Sequence, residues 1–391
     1  MSDRVTMQDI ADALGLSRNT VSKAINNTGV IAPGTRELIL KKAVEMGYRQ
    51  LAYPLFFPLP GLSTDTSSVS AAPAVDVGHS AGPSGQVMAG TGPVTGGQGN
   101  TAAAGSRSEI AMVTASIPGG SHFAVTTIDR MQQIFSSLGY SLAIYRVLPA
   151  EISSLKLPGS MNLSHTAAIF CLELFNYEYC RMLSSIGLPL LMIDAPASFD
   201  REPLSADILL MENFSGIFSF LKQMSEQGKK TVGFIGNMMH CRSFFERGTA
   251  CISAAACYGF EPVQPYSILD YPPGKNPARI ADYTDDISRL LGEMPTIPQI
   301  FICANDFLAI NVISSLRRMG IQCPDDILVL GFDDAPESRY HAPALSTVHI
   351  HTQSMGTVAA ELLLSRISNN LREYRTTYVP TDLILRESTQ A

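Results

Sequence analysis

"VTMQDIADALGLSRNTVSKAINN", residues 5–27, carries two apolar stripes at helical spacing. Met7, Ile10, Ala11 and Leu14 make the first, and Val21, Ala24 and Ile25 the second. Thr6 followed by Asp9 gives a capping-box-like start, Gly15 separates the stripes, and Ser17 stands where it can cap the second helix. The pattern is helix, tight turn containing Gly, helix. A third helix is predicted from about Pro33, a good first-turn residue, to Met46, with Ile39, Ala43 and Met46 apolar and Gly47 just past its end. Three helices of this size suffice for a small core.

The outer face of the second helix is all donors. Arg18, Asn19, Ser22 and Lys23 fall opposite the apolar residues. A recognition helix enters the major groove with its first residues at base edges, where Arg bonds guanine and Asn bonds adenine in bidentate fashion. Arg18 and Asn19 occupy that first turn; Lys23 reaches a base edge or a phosphate one turn on, and Ser17, Thr20 and Ser22 supply hydroxyls to the DNA backbone. The candidate DNA contacts are Thr6, Ser17, Arg18, Asn19, Thr20, Ser22, Lys23 and Asn26.

Charge distribution agrees. The whole chain of 391 residues has a formal charge of −7, yet residues 1–50 carry +2, leaving −9 for the rest. A weakly basic head on an acidic body suits a site-specific binder of double-stranded DNA that depends on dimerisation and base contacts more than on bulk charge. The seven cysteines include no C-x-x-C pair, so free thiols in a reducing cytosol are expected rather than disulfides or a zinc site. "MSDRVTMQDI" does not read as a signal peptide, and no apolar run approaches the roughly 20 residues of a membrane span. A cytoplasmic protein without membrane or cofactor is expected.

From 59 to 107 the chain is rich in Gly, Ser and Ala, with ten Gly between Gly61 and Gly105 and hardly a large apolar residue. A disordered linker is predicted there. Beyond it, apolar runs such as "EIAMVTASI", "AAIFCLEL", "PLLMID", "QIFICAND" and "ILVLGFDD" alternate with helical patterns such as "YEYCRMLSSIG" and "FLAINVISSLRRMG". Such alternation implies parallel sheets with flanking helices. About 285 residues is much for one sheet, so two α/β lobes are expected, with ligands bound at the strand C-termini. No Walker motif is present, and no G-x-G-x-x-G follows a strand.

The head "VTMQDIADALGLSRNTVSKAINN" with "TRELILKKAVEMGY" resembles that of the LacI/GalR family of bacterial transcriptional regulators. "ANDFLAINVISSLRRMGIQCPDDILVLGFDDAPESRYHAPALSTV" is very similar to the effector-domain signature of that family, and "VPTDLILREST" to its last strand. The resemblance implies an all-α helix-turn-helix domain over 1–58 and a two-lobed, periplasmic-binding-protein-like effector and dimerisation domain over 108–391. Lobe 1 would take about 108–210 and 350–379, and lobe 2 about 211–349 and 380–391. It also implies that Arg247 clamps effector hydroxyls, that Asp306 and Asp333 face it across the cleft, and that His122, Phe123 and Asn305 line the pocket. The chemistry is consistent, because Arg offers a fork of donors, a carboxylate only accepts, and a polyol hydroxyl does both.

The chain departs from the family at Ala250, where Gly is usual, and at Ile350, where a polar residue is usual. The larger departure is "YRQLAYPLFFPLPG", in which Pro54, Pro58 and Pro60 oppose a hinge helix and Phe57 stands at the minor-groove wedge position. A homodimeric repressor controlled by a sugar or sugar derivative is the leading expectation. A DNA-binding regulator whose body takes a protein partner, or no effector, is the alternative. No nucleophile elbow, metal-spaced His pair or phosphate loop points to an enzyme.

Overall fold

The computed structural model describes residues 6–25, 35, 38, 39, 42, 43, 46, 107–118, 123–269 and 280–390. Asn26, Phe57, His122 and all but the last residue of the expected linker lie outside these.

Helix α1 (Met7–Leu14) opens on a capping box: the Thr6 hydroxyl accepts the Asp9 N–H at 3.3 Å, and the Asp9 carboxylate accepts the Thr6 N–H at 2.7 Å. Those Thr6 bonds, the hydroxyl's first, hold the Asp9 carboxyl below its ordinary range. Gly15 ends α1 at φ +64°, a left-handed conformation that costs glycine little. Helix α2 (Arg18–Ile25) begins with the Ser17 hydroxyl accepting the Thr20 N–H at 3.1 Å. Ile10, Ala11, Val21 and Ala24 close a core with Ile39 and Ala43, and residues 35, 38, 39, 42 and 43 are helical.

The α/β part is built on two parallel sheets. The first contains β1 (Glu109–Thr114), β2 (Ser141–Arg146), β3 (Thr166–Leu172), β4 (Leu190–Ile193), β5 (Asp207–Met211) and β10 (Thr376–Val379), in the order β10-β5-β4-β3-β1-β2. The second contains β6 (Val232–Ile235), β7 (Ile300–Cys303) and β8 (Leu328–Leu330). A short antiparallel pair, β9 (Thr347–Ile350) with β11 (Thr381–Ile384), lies where the chain passes between the two. Strands covered on both faces read as unbroken apolar runs, as in β4 and β7, whereas the edge strand β2 has no fully buried residue and leaves Ile144 exposed.

Helices α3 (Ala124–Ser137), α4 (Pro149–Ser154) and α5 (Tyr177–Ser184) connect strands of the first sheet. Helices α6 (Ser215–Glu226), α7 (Arg242–Cys257), α8 (Ile280–Gly292), α9 (Asp306–Arg318) and α10 (Pro336–Tyr340) belong to the second. The chain then returns through α11 (Thr352–Ser368), which packs on α3. Ala250 and Ile350, the two departures from the family pattern, are both fully buried. Arg366 on α11 is also sealed. It pairs with Asp207 through Nη2 at 2.8 Å and Nε at 3.1 Å, and donates to the carbonyls of Asn370, Arg372 and Glu373. Among the described residues no helix is long and apolar enough to cross a membrane.

Candidate functional site

On the head, packing and exposure divide α2 cleanly. Val21 and Ala24 are sealed, Arg18, Asn19 and Lys23 are exposed, and Thr20 and Ser22 are half-buried. Thr6, Ser17 and Thr20 already spend their hydroxyls on the two caps: Thr6 donates to Asp9 at 2.8 Å, and the Ser17 and Thr20 oxygens share a hydrogen bond at 2.8 Å. They remain at the surface and hold the helix that carries the longer side chains.

In the α/β part, residues just past β3 and β4 of the first sheet meet residues just past β6 of the second. The Phe175 and His240 rings lie 5.1 Å apart, Phe199 and Phe245 lie 4.3 Å apart, and the Arg242 N–H donates to the Ala195 carbonyl at 2.8 Å. Asp194, at φ +62°, accepts the Ser243 N–H at 3.1 Å, so a carboxylate of one lobe caps α7 of the other. Burial pushes the Asp194 carboxyl up, against the Cys241 thiol, the Ala195 N–H and Arg247, which favour its ionised form.

Arg247 stands on α7 and is 2% exposed. Its Nε donates to Asn213 Oδ1 at 2.9 Å, and its Nη1 donates to the Ala304 carbonyl at 2.6 Å and reaches Asp333 Oδ1 at 3.4 Å. The guanidinium carbon sits 3.5 Å from the centre of the Phe332 ring and 5.8 Å from that of Phe244, a cation–π arrangement that Arg favours over Lys. Nη2 makes no hydrogen bond among the described residues, and it is not one of the atoms sealed from solvent without a partner. Asn213 is fixed in turn, since its Nδ2 donates to Glu246, which also accepts from Arg242 at 2.9 Å and from Tyr378 at 2.8 Å.

Asp333 is held at φ +114° by its N–H, which donates to the Val348 carbonyl at 2.9 Å. The next carboxylate, Asp334, turns away to Arg386, Arg339 and His349. Burial alone would raise its carboxyl, but the hydrogen bonds from Arg339 and Arg386 outweigh it and hold the group low.

Asp306 departs from expectation. Instead of facing the cleft it is fully buried, with Oδ1 accepting the Thr347 hydroxyl at 2.6 Å and Oδ2 the Ala335 N–H at 2.8 Å. As the first residue of α9 it points inward and pins the loop after β8. Gly331 leaves room for it, since a Cβ there would stand 2.1 Å from Asp306 Oδ1. Asn305 caps α9, accepting the Leu308 N–H at 3.0 Å, and leaves its Nδ2 without a hydrogen bond among the described residues. Phe123, half-buried before α3, packs against the same cluster as Phe332. The residue identities alone give no reason to single out Asn213, Phe332, Phe244 or Asp194. Phe332 does lie within the quoted "GFDD", but its ring supports Arg247 only once α7 and the loop after β8 are brought together within lobe 2.

A helix-turn-helix head precedes two parallel-sheet lobes, with the buried Arg247 set against the partly exposed Asp333 carboxylate. Residues 6–50 match the family of "Bacterial regulatory proteins, lacI family", and residues 221–389 match the "Periplasmic binding protein-like domain". The chain thus carries a lacI-type helix-turn-helix domain at its head and a periplasmic-binding-protein-like domain in its body.

The HTH-type transcriptional repressor PurR of Haemophilus influenzae is 23% identical over 398 residues, which span 99% of both chains. The fold is shared with the transcriptional regulator CelR in complex with cellobiose (TM-score 0.61, 20% identity, 98% of this chain and 100% of that one). It is shared too with the lac repressor dimer bound to operator and the anti-inducer ONPF (TM-score 0.61, 16% identity, 100% of both). A LacI family regulator of Enterococcus faecium with bound ribose also has this fold (TM-score 0.55, 17% identity, 72% of this chain and 98% of that one).

Proposed function

We propose that the chain is a cytoplasmic, homodimeric repressor whose affinity for its operator is set by a small hydroxyl-bearing molecule, a sugar or sugar derivative, bound between the lobes. The head over 1–58 reads DNA through Arg18 and Asn19, with Lys23 adding affinity. The body over 108–391, reached through the linker at 59–107, holds the effector with Arg247, Asp333 and Asn305. One observation carries this: Arg247 is almost wholly buried and braced by Asn213, Ala304 and Phe332, yet among the described residues its Nη2 makes no hydrogen bond, beside the Asp333 carboxylate. A sealed Arg with a spare donor next to an acceptor is what a ligand hydroxyl, both donor and acceptor, can complete. The names of the relatives agree with repression and with sugars as effectors.

The test is a selection of binding sites from randomised duplexes with the full chain. The selected operator is then titrated by fluorescence anisotropy with and without a panel of sugars and nucleosides. Site-specific binding that at least one compound shifts, and that Asp333→Ala renders unresponsive, is the expected result. Operator binding that no compound alters would favour a body that takes a protein partner or no effector.

A further inference from the structure

We propose that Tyr378 is a positioning residue for Arg247: from the first lobe it sets the aim of that arginine through Glu246 and Asn213, so the guanidinium is ready for a ligand only when the lobes are apposed as observed. The ligand half of this rests on the effector reading above; the positioning half does not.

The four side chains form an unbroken series of hydrogen bonds. The Tyr378 hydroxyl donates to Glu246 Oε1 at 2.8 Å, Asn213 Nδ2 donates to Glu246 Oε2 at 2.8 Å, and Arg247 Nε donates to Asn213 Oδ1 at 2.9 Å. Asn213, Glu246 and Arg247 are all buried, so water competes little for these bonds.

The series has one sense only. Arg247 Nε can only donate and the Glu246 carboxylate can only accept, so the Asn213 amide must turn its oxygen to the arginine and its nitrogen to the carboxylate. Glu246 is itself oriented from the Oε1 side, by Tyr378 and by Arg242 Nε at 2.9 Å, while the Tyr378 hydroxyl accepts from Arg242 Nη2 at 3.0 Å. Burial first, and the bond to Glu246 second, push that hydroxyl above its ordinary value, so it keeps the proton it donates.

Asn213 stands where the backbone leaves β5 for the second lobe, and Tyr378 stands in β10, one residue before that strand ends and the backbone leaves again. The two exits are tied together: the Glu212 N–H donates to the Val379 carbonyl at 2.8 Å, and the Thr381 hydroxyl to the Glu212 carbonyl at 2.9 Å. A rotation of the lobes about these crossings cannot shift Tyr378 against α7 without pulling on Glu246, then on Asn213, then on Nε. The Ala304 carbonyl and the Phe332 ring, both of the second lobe, hold the rest of the guanidinium. The plane of the fork is therefore set between an anchor in each lobe. An arginine ordered beforehand binds more tightly than one its ligand must order.

The full chain, isotopically labelled at arginine, tests the positioning without any ligand. The Arg247 Nε–H signal, assigned by its loss in Arg247→Lys or by through-bond correlation should that chain not fold, is followed for exchange with water, and the backbone amides of β3 are followed by mass spectrometry on the same samples. Tyr378→Phe is expected to speed exchange at Nε at least about threefold, and Glu246→Gln at least about tenfold because Gln cannot accept from both Asn213 and Arg242. Protection of β3 should change less than about twofold. If β3 loosens as much as Nε, Tyr378 is a structural residue and the proposal is overturned. An Nε signal that either variant leaves unmoved overturns it too.

Calorimetry with cellobiose, ribose and adenosine, on the native chain, Tyr378→Phe, Asn213→Ala and the double variant, reads the ligand half. Tyr378→Phe should weaken any binding seen at least about threefold, and in the Asn213→Ala chain, where the series is cut, it should cost nothing more. Independent losses that multiply in the double variant would show that Tyr378 does not act through Asn213. Heat from no compound would remove the effector reading and leave the exchange result to decide the positioning.

Discussion

Replacement of Asp306 separates a clamp residue from a structural one. Its two oxygens hold the Thr347 hydroxyl and the Ala335 N–H, and both residues are buried. Asp306→Ala leaves that hydroxyl and that N–H without partners, at about 1–3 kcal/mol each. Removing a carboxylate that folding desolvates returns part of this, so a net loss of about 2–4 kcal/mol is expected. Asp306→Asn can keep both contacts, with Oδ1 on the Ala335 N–H and Nδ2 donating to Thr347 Oγ1, and should cost less than about 1 kcal/mol.

The two chains also differ with pH. Burial first, and the nearby Asp333 second, push the Asp306 carboxyl well above its ordinary value, so the folded chain holds this proton where the unfolded chain has lost it. Its contribution to stability is therefore largest below the unfolded value of about 3.9 and declines as pH rises through the folded value; Asp306→Asn removes that decline. Urea unfolding followed by circular dichroism and tyrosine fluorescence, the chain having 13 Tyr and no Trp, measures both effects. If Asp306→Ala unfolded like the native chain but no longer bound effector, Asp306 would belong to the clamp and the structural assignment would be wrong.

Asp207→Ala leaves Arg366 charged, sealed and short of its carboxylate, and should cost about 3–5 kcal/mol in the same unfolding measurement; a loss under about 1 kcal/mol would contradict the pairing. Burial would raise the Asp207 carboxyl, but bonds from Arg366 and Arg375 hold it low, so its stabilisation is present above about pH 3.9 and is lost as pH falls through the folded value. Gly331→Ala would drive a methyl into the Asp306 carboxylate and is expected to destabilise by about 1–3 kcal/mol, with an unchanged urea midpoint as the adverse result. Arg18→Ala should weaken cognate operator binding by about 1–3 kcal/mol and relax preference at one base position, whereas an unaltered motif in a randomised-site selection would remove Arg18 from base readout.

The parallel α/β architecture is legible because its strands are buried on both faces, so "LLMI" and "IFIC" stand out as apolar runs between turn residues. The head is legible for a different reason: Thr6, Gly15 and Ser17 are punctuation whose effect is local, and each acts where its neighbours say it should. β5 is harder to see. It opens on Asp207, which looks like a loop residue until Arg366, 159 positions away, neutralises it. At the site, Arg247 and Asp333, singled out by the family resemblance, do come together, whereas Asp306 turns inward because adjacency in "AND" does not fix direction. Asn305 caps the helix from outside it, and Asp306, one residue later and already helical, turns into the protein.

What spacing could not disclose is that the helix bearing Arg247 is held at its first turn by the opposite lobe. The Ser243 N–H bonds Asp194, the Arg242 N–H bonds the Ala195 carbonyl, and the Arg242 side chain reaches the Tyr378 hydroxyl of β10 at 3.0 Å. Arg247 lies little more than one turn beyond these contacts, and an α-helix transmits displacement over that distance with little loss. On the proposed reading, a ligand bond to Nη2 would not be energetically independent of the seam between the lobes: whatever geometry of α7 that ligand prefers, Asp194, Ala195 and Tyr378 would have to accommodate it. Coupling of that kind is reciprocal, so a change that loosens the seam alters ligand affinity by the same free energy with which the ligand alters the seam.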